Sequence, residues 1–577
     1  MMLQDKPKFS FLFIWSCLLI TAAVLVVLFW RGLFGPSEGR YAEAPREMAA
    51  TENWQEMRLM GVRYYEKPPL AYWTVVPFLK TLGSSEQAIR LPLFLHFVAL
   101  LLVFYLSAKK KWHQKDSLVA ISVTLANVGM IMGFGLLMTD PFLTLWFSLT
   151  CLSAFFAFQH ESKHKTLLLV AAALFASLGF LTKGVVAIVL PVAIVAIWLL
   201  LERRFKLLFT PSLFPAIAVL FAILVPTLFF IERSNPDFFK RFIYEEHIAR
   251  FLGSRDQQLH PQPFYFFLVI LPVLAIPWSI FFIRAGLHIK ATSKKGLDSF
   301  SKYLLVWVGV VIVFFSASTG KLMAYILPAL PPLMMLLGKF GVAPEYDGTK
   351  RDKWLWQTGL YFMVFICLLT AVFWVLSGTG KLPLGDGHSY SASKISLIVF
   401  LPFIVTFLLV LLLKKTYSFE GPLATGSSLL LAAALLLSPL PGKDFNVLLH
   451  MNSSHVFKEL ASRMTENDNT IMFWMYRPDL AFYTQRVPIP FQTQNELKYG
   501  MEVEPEKRDL QSKEELMDLI NNATGRLFAI VEHKHLESRF NLLNLPHILT
   551  DIPSDPDMIV FELLTDHTPQ ELRPPDR

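Results

Sequence analysis

Cysteine is nearly absent from this sequence: three in 577 residues, Cys17, Cys151 and Cys367, each inside an apolar run. They provide no disulfide framework and no metal knuckle, and read as small apolar core residues. A Gly-rich phosphate loop on a soluble domain is missing, which removes the usual mark of nucleotide binding. No internal repeat is visible, which counts against a transporter built from repeated halves. Charge is missing altogether from Phe9 to Trp30, 22 residues in a row. About 20 apolar residues suffice to cross a hydrocarbon core. The run is too long, and too poorly followed by small residues, for a cleaved signal peptide, so it reads as a retained anchor.

What is present is apolar: 54% hydrophobic residues, 51 Phe and 13 Trp, with a mean hydropathy of +0.46. The fold expected is membrane all-α, with about thirteen spans at 9–31, 91–107, 117–137, 140–158, 166–181, 184–201, 211–231, 264–283, 303–317, 322–338, 357–377, 393–413 and 422–440. The short pieces over 166–201 are expected to be tilted or partly re-entrant. Basic residues fall in alternate connections: Lys6 and Lys8, 109–115, 161–165, 202–206, 284–302, 349–353 and 414–415. By the positive-inside rule these stay cytoplasmic, so the N-terminus is inside and the C-terminus outside. The expected division is a polytopic domain over 1–440, with outer loops at 32–90 and 232–263, and an extracytoplasmic α/β domain over 441–577. In the latter, 470–476, 526–532 and 558–563 read as strands and the stretches near 454–465 and 512–522 as helices.

Chemistry is expected at the outer level. Directly after the first span, the stretch GPSEGRYAEAPREM (35–48) places Glu38, Arg40, Glu43, Arg46 and Glu47 within ten positions. Arg63, Glu66 and Lys67 follow, with Pro68 and Pro69 setting the start of a helix. Asp140, Lys183 and Lys321 stand in the very short outer connections, and His247 and Arg250, three apart, share a face if 244–251 is helical. Ionisable groups near a hydrocarbon boundary are costly and normally face a partner or a wet cavity. A wall of Arg40, Arg63, Lys67, Lys183, Arg250 and Lys321 suits a phosphate at headgroup depth whose apolar tail lies between helices. The plainer alternative for 63–73 is an interfacial salt bridge with a belt of Tyr64, Tyr65, Tyr72 and Trp73.

Several stretches occur in the order seen in one family: SEGRYAEAPREM, GVRYYEKPPLAYW, AIRLP (88–92), TDPFLTLWF (139–147), FLTKGVVAIVLP (180–191), EEHIARF (245–251), PW (277–278) and STGKLMAYILPALPPL (318–333). Over roughly residues 9–340 the chain resembles the lipid-A aminoarabinose transferases and related polyprenyl-phosphate-sugar glycosyltransferases of the GT-C class, relatives of protein O-mannosyltransferases. The match is most specific over 38–73 and 318–333. The resemblance implies transfer of a sugar from undecaprenyl phosphate to lipid A, the anchor of lipopolysaccharide, or to another envelope acceptor at the outer face of the inner membrane. It implies no nucleotide cofactor, and monomer is the expected state. Glu38, Arg40, Tyr41 and Glu43 match the family's loop motif. Glu66 matches a metal ligand, beside His247, for Zn²⁺ or a similar divalent ion, and Lys67 a phosphate contact. Asp140, Lys183, Lys321 and Tyr325 match the remaining polar positions.

One position departs. Where the family pattern has the first acid of an Asp-Glu pair, assigned to catalysis, this chain has Ser37. Serine and aspartate both serve as N-caps, so a helix start after Pro36 is expected to survive the loss of charge. The acid or base role then falls to Glu38, or to Asp140, or to neither, because an acceptor phosphate is already an anion. A diverged, inactive paralogue is a fourth reading. Outside this family, the rivals are a protein O-mannosyltransferase-like or polysaccharide-modifying enzyme, a flippase for lipid-linked sugars, and a sensor or assembly factor whose outer domain binds an envelope partner.

Overall fold

A computed structural model of the chain describes residues 32–64, 66–159, 162–240, 242, 244, 261–276, 278–342, 354, 358, 453–493, 497–504, 509–552 and 558–565. Six helices there are long and apolar enough to cross a membrane: Glu86–Lys109, Thr139–Ala157, Lys165–Lys183, Leu213–Ser234, Ser299–Ala317 and the compound segment Met323–Val342. Two bent pairs, counted as one span each, raise the number to eight, and Val186–Leu201 is a shorter apolar helix. The expected spans 9–31, 393–413 and 422–440 lie outside the described residues, as does all of 357–377 except Thr358.

The breaks fall elsewhere than expected. Lys165–Lys183 is an uninterrupted helix, whereas Gln114–Leu125 and Val128–Gly135 meet at 55°, and Phe266–Leu274 and Trp278–Lys295 at 111°. Each break repairs the other. The Val128 amide donates to the Ile276 carbonyl at 2.8 Å, and the Trp278 indole donates to the Ala126 carbonyl. Asn127 completes the repair: its side-chain oxygen accepts from the Met130 amide at 2.9 Å, and its NH₂ donates to the Thr124 carbonyl at 2.7 Å. Backbone groups freed from a helix inside an apolar body need such partners, since each unsatisfied one costs several kcal/mol. Apart from Asn127, apolar composition continues through both breaks, so hydropathy alone gives little sign of them.

Ahead of the first long span lies a small folded unit. Helix Gly35–Thr51, the motif helix, is followed by a two-stranded hairpin, β1 (Arg58–Leu59) and β2 (Val62–Arg63), and by helix Leu70–Leu82. Met60 and Gly61 both have positive φ, 53° and 79°, the conformation of a tight two-residue hairpin turn. Pro69 starts the next helix, as expected.

The C-terminal region folds as a five-stranded sheet of order β4-β3-β5-β7-β6. Its strands are β3 (Asn469–Phe473), β4 (Ile489–Phe491), β5 (Leu527–Glu532), β6 (His547–Leu549) and β7 (Met558–Leu563), with helix Ser454–Arg463 leading into β3 and helix Lys513–Asn521 lying between β4 and β5 in the chain. β3 runs parallel to β4 and β5, and β7 antiparallel to β5 and β6. Both faces are covered, which is why the central strands read as continuous apolar runs. Met472, Phe528, Ile530 and Val560 join a core shared with Leu33, Tyr41, Met48 and Tyr72 of the small N-terminal unit. Ile471, Phe473, Ala529 and Val531 point the other way, onto Leu516 and Phe540. The sheet and the motif helix therefore have one core in common.

Candidate functional site

The motif helix begins one turn earlier than the sequence suggests. Phe34, not Ser37, is its N-cap residue, with Gly35 at φ 55° and Pro36 in the first turn, where a missing amide hydrogen costs nothing. Ser37 sits inside that turn, exposed. The expected cap is thus corrected. The Glu38 carboxylate reaches back to accept from the Phe34 amide at 2.6 Å.

Glu38 does more than close the helix end. Its other oxygen accepts from the Leu137 amide at 2.8 Å, and Arg90 stands 3.8 Å away. Leu137 leads directly into helix Thr139–Ala157, so this buried carboxylate ties the motif helix to the element that carries Asp140. Asp140, near that helix's N-terminus and buried, is ion-paired with Lys183. The Lys183 ammonium lies 4.8 Å from the centre of the Tyr325 ring, a cation–π distance. Four residues before Tyr325, buried Lys321 donates to the Gln262 carbonyl at 2.8 Å and to the Ser318 carbonyl. It joins the two connections that precede the last described spans.

A second group gathers on the other side of the motif helix. Arg40 is 3.5 Å from the Glu66 carboxylate, which also accepts from the Tyr64 hydroxyl at 3.1 Å. Lys67 folds back to the Glu66 carbonyl at 3.1 Å. Tyr41 stacks on Tyr72 with centroids 6.2 Å apart, and the Arg40 guanidinium sits 4.9 Å above the Tyr41 ring. The structure thus brings together Arg40, Tyr41, Glu66 and Lys67, and separately Asp140, Lys183 and Tyr325, with Glu38 as the link. Two cations and an aromatic wall beside one carboxylate can hold a phosphate, and a carboxylate–lysine pair can orient a reacting group.

Arg63 is drawn elsewhere. With Arg58, its cross-strand partner, it pairs with Glu56 at 3.0 Å and approaches Glu504 of the C-terminal region at 3.7 Å. His247 and Arg250 lie outside the described residues. Among the described residues no group of three or more His, Cys, Asp or Glu side chains is placed to hold a metal ion.

Four residues of consequence are not among the expected catalytic, phosphate or metal positions. Glu43 and Arg46 form a two-pronged pair at 2.6 and 2.7 Å. Glu47 accepts from the Gly61 amide at 3.0 Å and fixes the hairpin turn to the motif helix. One guanidinium cannot neutralise two buried carboxylates, and burial pushes Glu43 up to about 8 and raises Glu47. Arg90, the arginine of AIRLP, is the fourth such residue. Its position among the quoted stretches was the available signal.

The family model for dolichyl-phosphate-mannose-protein mannosyltransferase matches residues 66–230. An undecaprenyl phosphate-alpha-4-amino-4-deoxy-L-arabinose arabinosyl transferase of Erwinia tasmaniensis is 34% identical over 334 residues, 57% of this chain and 59% of that one. A second protein of that name, from Pseudomonas fluorescens, is 30% identical over 490 residues, 83% of this chain and 85% of its own. The chain thus spans less than two thirds of the Erwinia relative and most of the Pseudomonas one. Among solved structures, ArnT from Cupriavidus metallidurans, bound to undecaprenyl phosphate, superposes with a TM-score of 0.81 at 21% identity, covering 99% of this chain and 100% of that one. At that identity the likeness concerns the fold.

Proposed function

Since this chain belongs to the undecaprenyl phosphate-alpha-4-amino-4-deoxy-L-arabinose arabinosyl transferase family, we propose that it moves a sugar from undecaprenyl phosphate to a phosphate of lipid A. The observation that carries this reading is the pair of clusters, Arg40–Glu66–Lys67 and Asp140–Lys183–Tyr325, joined through Glu38. An acceptor phosphate oxygen attacks the anomeric carbon, the bond from that carbon to the donor phosphate breaks, and undecaprenyl phosphate leaves with the electron pair. Arg40 and Lys67 stabilise the charge that builds on the leaving phosphate. Lys183, Lys321 and Arg250 complete the anion-binding site, and Tyr325 flanks the sugar. Asp140 orients the sugar or shuttles a proton, while Glu38 holds its position. The acceptor is already an anion, so Ser37 in place of an acid is compatible with turnover.

In the same proposal the chain has about thirteen spans, the cytoplasm holds the N-terminus, and the periplasm holds both the 32–90 and 232–263 loops and the 441–577 domain. The protein works as a monomer in the inner membrane. The described residues supply Glu66 as one ligand for a divalent ion, with Arg40 and Tyr64 beside it, and His247 is the second ligand proposed. Metal content of purified wild type and Glu66→Gln tests it: equal content counts against the site.

The function is tested by reconstituting the protein with undecaprenyl phosphate-linked 4-amino-4-deoxyarabinose and lipid A, and following product mass. Transfer by the wild type, reduced about 100-fold or more in Lys67→Ala and Asp140→Asn, is expected. Movement of the donor across the bilayer without transfer would identify a flippase instead.

A further inference from the structure

The three residues that lead into the motif helix are each held by a side chain, and each side chain comes from a different place. Arg90, on helix Glu86–Lys109, donates to the Gly32 carbonyl at 2.9 Å. Glu38 takes the Phe34 amide. The Leu33 amide, between them, donates to the Tyr483 hydroxyl at 2.9 Å, and Tyr483 belongs to helix Pro478–Thr484 of the C-terminal region, 450 residues away in sequence. The same hydroxyl donates to Glu86 at 2.9 Å, so a carboxylate fixes its hydrogen and leaves its lone pair for Leu33. The two helices touch at backbone distance: a Cβ on Gly39 would lie 2.4 Å from the Asp479 nitrogen. Asp479 is in turn gripped by Arg477 through two bonds of 2.9 and 2.6 Å.

We propose that Tyr483 is a positioning residue for the transfer reaction: through Leu33 it sets the register of the motif helix, and with it the placement of Arg40 and Tyr41. The inference rests on the proposed transferase activity. It gives the C-terminal region a part in the chemistry without contact with either substrate. A loose phosphate clamp misplaces the reacting atoms and lowers turnover more than binding.

The test compares Tyr483→Phe with Lys458→Ala. Lys458 also pairs with Glu86 from the C-terminal region and lies 5.3 Å from the centre of the Tyr483 ring; its removal loosens docking while the Tyr483 hydroxyl keeps its bond to the Leu33 amide. In Tyr483→Phe, kcat should fall about tenfold with KM for the donor within about twofold, and amide exchange over 33–41 should accelerate while β3 and β5 stay protected. Lys458→Ala should change neither by more than about twofold. The isosteric Glu86→Gln, which weakens the grip on the hydroxyl, should fall between them and serves if Tyr483→Phe fails to fold. Unchanged exchange over 33–41, or equal effects of Tyr483→Phe and Lys458→Ala, overturns the proposal. A wild type without transfer overturns the functional reading instead, and the exchange measurement still decides whether Tyr483 holds the helix.

Discussion

The motif helix carries two sets of charges with opposite fates. Glu43, Arg46 and Glu47 are 0%, 8% and 6% exposed and satisfy one another and the hairpin turn. Arg40 and its partner Glu66, at 15% and 14% side-chain exposure, meet at 3.5 Å. The first set is close-bonded and sealed beneath the core shared with the C-terminal sheet. The second is loosely paired at the edge, where a ligand's phosphate can exchange places with a carboxylate. Dense charge after a long apolar run therefore has two origins on one helix, and bond length and burial tell them apart.

That contrast can be broken most sharply at Arg46. Arg46→Ala would leave the buried acids Glu43 and Glu47 without the guanidinium they share, at a cost of about 3–5 kcal/mol, and should lower the melting temperature of the purified protein or abolish its expression. Arg40→Ala, in contrast, should leave melting nearly unchanged and reduce kcat/KM about 100-fold. Similar losses of stability in both variants would erase the distinction.

The sealed set also predicts a pH response. Glu43 has its pKa raised from an ordinary 4.5 to about 8, so the folded state holds a proton that the unfolded chain releases. Its contribution to stability is full below about 4.5 and is lost as pH rises toward 8. Melting temperature should therefore fall between pH 5 and pH 8 more steeply in the wild type than in Glu43→Gln, which mimics the protonated acid; parallel slopes would place the proton elsewhere. The smallest effect is expected at exposed Ser37. Ser37→Asp should alter turnover with lipid A by less than about threefold, and a large gain would show that a base is wanted there after all.

Much of this was legible from residues alone. The apolar runs at 91–107, 140–158 and 303–317 became helices Glu86–Lys109, Thr139–Ala157 and Ser299–Ala317. The strand-like runs at 470–476, 526–532 and 558–563 coincide with β3, β5 and β7. Asp140 and Lys183 had been placed at one level by hydropathy, and they meet. What stayed hidden depends on partners far along the chain. Nothing near Glu38 announces that its carboxylate serves an amide 99 residues on, and Ser37 looked like a cap because the local rule for Pro-Ser is sound where Phe34 and Gly35 do not start the helix first. The three-residue strands β4 and β6 carry too little pattern to be read. Arg63, expected among the phosphate contacts, pairs with Glu56 at 3.0 Å and approaches Glu504 at 3.7 Å, and this second partner, 441 positions downstream, has no local signal.

The reciprocal repair of the two helix breaks has a consequence for how the chain is made. Ala126 and Trp278 are separated by 152 residues, so the ribosome delivers the first break long before its partner. During that interval the Ala126 carbonyl and the Val128 amide have no indole or carbonyl from the later segment. A straight helix through 114–135 is the conformer that satisfies them in the meantime. The bend is then expected as a late event in biogenesis, and a nascent chain halted before Trp278 should carry the earlier segment unbent.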